Sequence, residues 1–289
     1  MGGFSRRSFL KWLCSGVVLP VLHVAGDKSS PSHDLMTRGR AGGNIGKGFQ
    51  GEELRYRMSA LWIMQTAIGR LSFEKVGGEQ SYRAILEGKT TGIIGWLTRY
   101  RRDTYTSYME VIDGGERLRP LRFEEDVEIG GRIRKKITLF DYGRRTLVKK
   151  RLNKEGVFVQ TEEKIPAGVG YDDFLTAFYN FRGGVYGEIE RGRRYRVRTL
   201  PKAGISTIEV EIATRKEEIR MRHGEPKGGD REYYITIFLD KEITRSRTGR
   251  VAGWVSKDLV PIEGTIEDVK FVGDVRGVLV GERRPYGYR

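Results

Sequence analysis

From Glu53 onward the hydrophobic positions recur every second residue. Leu54, Tyr56, Met58, Ala60 and Trp62 alternate with Arg55, Arg57 and Ser59, the pattern of a strand with one face on a core. Leu61 and Ile63 blur the alternation, so both faces are expected to be covered there. Ala67, Gly69, Leu71 and Phe73 fall on one side of a second strand. The same reading places strands at residues 104–110, 132–140, 145–152, 157–162, 194–200, 205–214, 233–240, 250–255 and 269–280. Gly-rich turns such as Asp113-Gly114-Gly115, Asp141-Tyr142-Gly143 and Gly228-Gly229 separate many of them. Many short strands at this spacing predict a mainly β fold: a curved antiparallel sheet, a half-barrel or a barrel-like sandwich. One segment changes period. Between Tyr171 and Gly183 the apolar stripe Phe174, Leu175, Phe178 and Phe181 predicts a short helix, with Asp172 as N-cap and Gly183 as stop. So much aromatic surface has to be buried, and the concave face of the sheet is the expected place.

Charge on the strands needs a structural test before it is read as function. Arg194, Arg196 and Arg198 share a face and resemble a polyanion ladder. A turn at Lys202-Ala203 would instead set Arg196 opposite Glu209 and Arg194 opposite Glu211, giving cross-strand ion pairs. A richer basic patch is predicted on the hairpin turned at residues 141–143, where Arg134, Lys135, Lys136, Lys149, Lys150 and Arg151 are the candidate anion-binding residues. It stays unbalanced unless Glu124, Glu125, Asp126 and Glu128 fold back on it.

Ahead of the strands the chain has a different character. Ser5-Arg6-Arg7-Ser8-Phe9-Leu10-Lys11 matches the twin-arginine export signature, with Arg6 and Arg7 as the recognised pair, and a moderately apolar run of about 14 residues follows. That is shorter than the roughly 20 residues a membrane span requires. Small residues at Val24-Ala25-Gly26 predict cleavage near Gly26. The expected organisation is therefore a signal peptide at 1–26, a polar linker at 27–50, one mostly β domain at 51–284 and a tail at 285–289. Residues 41–48 superficially suggest a phosphate loop, but Ala41 replaces its first glycine and Gly48 its Ser or Thr, so they read as linker. Such a chain would be handed to the twin-arginine translocase and reside in the periplasm.

The net charge is +15; without the three cations of the signal the remainder carries +12. That excess suits an anionic envelope neighbour, whether lipid, glycolipid or polymer, and allows peripheral membrane contact. Nucleic acid is not expected as a partner of an exported chain. The one cysteine, Cys14, lies in the signal, so disulfides, thiol catalysis and sulfur metal ligands are not expected beyond it. His33 and His223 have no second His or Cys at ligand spacing, and no zinc site or Ser-His-Asp arrangement is read. Acid pairs such as Glu162-Glu163 and Asp172-Asp173 are too common in a chain with 38 acids to indicate a glycan hydrolase. No catalytic residue, metal or cofactor is assigned.

The order of segments resembles the DUF3108 family of exported bacterial proteins. It is carried by Gly51-Glu52-Glu53-Leu54-Arg55-Tyr56, Ile68-Gly69-Arg70-Leu71, Lys89-Thr90-Thr91-Gly92, Arg102-Asp103-Thr104-Tyr105 and Leu118-Arg119-Pro120-Leu121-Arg122-Phe123. Phe140-Asp141-Tyr142, the run from Tyr171 to Tyr179 with Arg182, and Gly253-Trp254-Val255-Ser256-Lys257-Asp258 continue it. The resemblance implies a periplasmic or outer-membrane-associated protein with a mostly antiparallel, half-barrel sheet and brings no catalytic residues. The expected function is non-enzymatic binding of an amphiphilic or anionic envelope molecule. Tyr56, Met58, Trp62, Phe73, Phe174 and Phe178 would hold its apolar part, and the basic hairpin would meet its head group. A structural factor docking through the basic surface is the alternative, and a carboxylate hydrolase a distant third.

Overall fold

The chain enters its sheet in the middle. In the computed structural model, which describes residues 43–60, 63–200, 206–222, 231–238, 246–269 and 273–284, fourteen antiparallel strands form one open, curved sheet. The strand β1 (Glu53–Ala60) starts at the centre. From it the chain meanders outward through β2 (Ile63–Lys75), β3 (Ser81–Thr90), β4 (Arg102–Ile112), β5 (Arg117–Ile129), β6 (Arg132–Asp141), β7 (Thr146–Leu152) and the edge strand β8 (Phe158–Lys164). It then crosses to the opposite edge, β9 (Arg194–Thr199), and meanders back through β10 (Ser206–Ile212), β11 (Tyr233–Phe238), β12 (Arg250–Val255) and β13 (Pro261–Val269). The last strand, β14 (Gly273–Arg283), pairs with β1.

The crossover carries α3 (Phe174–Arg182); among the described residues the other α-helices are α1 (Ile45–Phe49), α2 (Gly92–Leu97) and α4 (Arg215–Met221). α3 lies between two hydrophobic clusters, one built on β1–β7 and one on β9–β14. Leu175 and Tyr179 belong to the first, Ala177 and Phe181 to the second, and Phe174 and Phe178 pack on both. The helix is the wedge that lets an open sheet bury its concave face.

Several sequence expectations change here. The N-cap is Asp173, whose carboxylate accepts from the backbone N–H groups of Leu175 (2.9 Å) and Thr176 (3.1 Å). Asp172 serves elsewhere, in an ion pair with Arg117. The chain enters the core before residue 51. Asn44 caps α1, and Ile45 and Phe49 are buried, Phe49 edge-on to Tyr179 at 5.0 Å. Strands β3, β5 and β13 were not expected. Arg6, Arg7, Trp62, His33, His223 and the tail at 285–289 lie outside the described residues.

Candidate functional site

The concave face holds a groove of about 140 Å³ between α3 and the strands β1 and β11–β14. Its position follows from the register. Gly277 on β14 pairs with Met58 on β1, Gly264 on β13 with Gly277, and Gly253 on β12 with Gly264. Directly opposed residues on neighbouring strands face the same side. Three adjacent strands thus present no side chain in one row of the inner face. Phe174, Phe178 and Phe181 of α3 roof that row, while Ile235, Val251 and Ile266 wall it. Gly253 is also required for strand approach: a Cβ there would lie 2.1 Å from the Glu263 carbonyl oxygen. At Gly277 a Cβ would meet nothing within 4 Å, so that glycine leaves real space.

The lining is nearly all apolar. Its buried charge, Arg182, is neutralised by Glu52 through two hydrogen bonds, Nη1 to Oε1 at 2.6 Å and Nη2 to Oε2 at 2.7 Å. The guanidinium also stacks over Phe49 and Phe178, at 4.8 and 5.2 Å from the ring centroids. Burial works against the Arg182 charge, but the Glu52 carboxylate outweighs it and the guanidinium pKa is raised. Tyr56 donates its hydroxyl to the Pro261 carbonyl oxygen at 3.1 Å, and burial pushes its pKa up. The wall therefore offers no free charge or proton donor to a ligand.

The structure brings four of the predicted apolar residues together: Tyr56, Met58, Phe174 and Phe178 all line the groove. Phe73 does not. It is fully buried in an aromatic stack with Tyr82 (5.4 Å) and Tyr179 (4.5 Å) beneath α3. The sequence reading missed Ile235, Val251, Ile266 and the glycine row.

The basic hairpin is half neutralised: three of its six candidate cations are paired, two of them by acids of β5 that fold back on it. Glu125 lies opposite Lys136 and Asp126 opposite Lys135. Lys135 bonds Asp126 at 2.9 Å, Lys136 bonds Glu125 at 3.0 Å, and Lys149 bonds Glu163 at 2.7 Å. Arg134, Lys150 and Arg151 make no ion pair among the described residues. The Arg ladder on β9 is likewise structural: Arg196 faces Glu209 and Arg194 faces Glu211 in register, with salt bridges at 3.1 and 2.6 Å.

The Asp172-Asp173 pair is a buried clamp on α3. Asp172 accepts from Arg117 (3.0 Å), Asn180 (3.2 Å) and the Tyr186 hydroxyl (2.5 Å). Asp173 accepts from Ser107 (2.6 Å) and Thr176 (2.8 Å) as well as from the helix backbone. Burial raises both carboxyl pKa values, Asp173 to about 6, against the pull of these donors. Asn180 adds two bonds of 2.8 Å to the Leu118 backbone. With every one of these groups spent on the helix, the pair positions α3. Among the described residues no three His, Cys, Asp or Glu side chains gather as a metal site would require.

No curated protein matches the chain. Among solved structures, a DUF1089 family protein from Pseudomonas aeruginosa aligns with 13% identity over 74% of this chain and 95% of its own, at a TM-score of 0.31. Overlap at that level says nothing about ligand or role. The family model of DUF3108, described as a protein of unknown function, matches residues 55–279. That span runs from β1 through β14 and takes in the groove, α3 and its clamp; the chain belongs to the DUF3108 family.

Proposed function

We propose that this protein binds the apolar part of an amphiphilic cell-envelope molecule, a lipid or glycolipid, in the groove under α3, without catalysing a reaction. The observation that carries the reading is the coincidence of a side-chain-free row across three strands with an aromatic roof and a fully neutralised wall. The export signature supports a periplasmic setting, reached through the twin-arginine translocase.

The size of the groove limits what it holds. An apolar cavity near 150 Å³ takes a benzene ring, so the 140 Å³ here suits one short segment, an acyl-chain end or a ring. Burying roughly six carbons at about 0.8 kcal/mol each yields ~5 kcal/mol, a Kd on the order of 10⁻⁴ M from the groove alone. Useful affinity then needs contacts outside it. The alternative of docking through the basic hairpin is weakened by the ion pairs that neutralise Lys135, Lys136 and Lys149.

The test is titration of the chain with a dansylated fatty acid. The emission should shift to the blue and saturate for the parent protein. Gly277→Leu, which fills the row where there is room, should abolish that shift while leaving the circular dichroism spectrum unchanged. Equal binding by parent and Gly277→Leu would place the ligand elsewhere and overturn the reading.

A further inference from the structure

One rim of the sheet carries apolar side chains that the fold leaves uncovered. The β3–β4 and β5–β6 connections leave the sheet at the same end, as the antiparallel order requires. Ile93 and Trp96 of α2, Tyr100 just beyond it and Ile133 at the start of β6 are 68, 65, 57 and 62% exposed. A lone exposed apolar residue is ordinary, whereas four large ones on two adjoining turns mark a candidate interaction surface. The turns are fastened together, since the Gly130 N–H donates to the Arg99 carbonyl at 3.1 Å. The root of α2 is fixed to β2 by Thr91, whose N–H donates to the Thr66 carbonyl and whose hydroxyl donates to that of Gln65, both at 2.9 Å. Arg99 and Tyr100 hold left-handed backbone at φ 57° and 51°, a conformation uncommon for residues with side chains.

Charge identifies the occupant. Lys89, Arg99 and Arg102 lie on the same turns, all exposed and none in an ion pair among the described residues, and Arg132 stands at the β5–β6 turn; the exposed Glu128, opposite both Arg102 and Ile133, is the acid beside them. These cations contrast with the neighbouring Lys135 and Lys136, which are paired. Exposed Trp and Tyr beside unpaired Arg and Lys are the composition that settles at the boundary between head groups and acyl chains.

We propose that this rim, centred on Ile93, Trp96, Tyr100 and Ile133, is a docking surface for an anionic lipid bilayer. It is a different surface from the groove and meets the basic hairpin only at the start of β6. Contact would be peripheral: α2 has six residues and would enter only the interfacial layer.

The experiment uses the full chain with Cys14→Ser, labelled with an environment-sensitive fluorophore at Ile93→Cys or, as a control at the opposite end of the sheet, at exposed Glu116→Cys. Each is mixed with vesicles of phosphatidylethanolamine and phosphatidylglycerol, or of phosphatidylcholine alone. The label at 93 should shift to the blue with the anionic vesicles and be quenched by spin-labelled acyl chains, while the label at 116 stays in water. This local readout separates rim insertion from any attachment through residues 1–26. Replacing both Arg99 and Arg102 with Gln should weaken vesicle partitioning about 30-fold at low salt. A label at 93 that stays in water on anionic vesicles, or equal shifts at 93 and 116, would overturn the proposal.

Discussion

At Asp173 a single carboxyl couples pH to the stability of the crossover helix. Its pKa in the folded protein is about 6, above the value near 3.9 expected when unfolded. The folded state therefore holds its proton more tightly, so this group's contribution is fully present below about pH 4. It declines as pH rises through about 6. Two units correspond to roughly 3 kcal/mol. Asp173→Asn keeps a capping side chain and removes the titration. Urea midpoints between pH 4 and 7 should show the variant gaining on the parent by that order as pH rises. Arg182 and Glu52 present the opposite case, a charge pair that is costly to half-remove. Arg182→Met or Glu52→Gln alone should destabilise by about 3–5 kcal/mol. The double variant should recover much of the loss, measured as a double-mutant cycle in urea.

Among the elements, the strands show where sequence pattern suffices and where register must intervene. The Arg196–Glu209 and Arg194–Glu211 pairing was legible because one short turn determines both partners. The α3 stripe and its Gly183 stop were legible for the same local reason. β5 was not, because Pro120 and the run Glu124-Glu125-Asp126 look like a loop. In the fold, a bulge between Tyr108 and Met109 on the partner register accommodates Pro120 and Leu121, and the lysines of β6 answer the acids. α4 was missed although its capping box, Thr214 with Glu217, stands in the sequence. The groove was half legible: Tyr56, Met58, Phe174 and Phe178 appear as apolar positions, but Gly253, Gly264 and Gly277 become one row only once three strands are aligned. The row predicts a contrast. Gly277→Ala should leave thermal stability almost unchanged. Gly253→Ala, with its Cβ driven into the Glu263 carbonyl, should lower Tm by several degrees, corresponding to about 1–3 kcal/mol.

As a whole, the molecule is two meanders joined at the centre by β1 and β14 and bridged by α3. That topology could not be read locally, since nothing in either terminal strand marks the other as its neighbour 200 residues away. It makes the two halves interdependent. Phe178, partly buried, packs on both hydrophobic clusters, so Phe178→Ala should cost about 2–3 kcal/mol, below the range for a fully buried Phe, and raise amide exchange in β3 and β11 together. The same architecture buries the concave face under α3 except for the apolar groove beside it, and leaves exposed aromatic side chains at one end of the sheet. On the two proposals above, the rim would meet a membrane while the groove shelters a short apolar segment.

The most direct test of the groove is native mass spectrometry with lipid extraction, on the parent protein and on Gly277→Leu, each recovered from the native host. The account predicts a co-purifying amphiphile at near one-to-one ratio on the parent and none on the variant. A bare protein mass for the parent, or the same lipid on both, would contradict it.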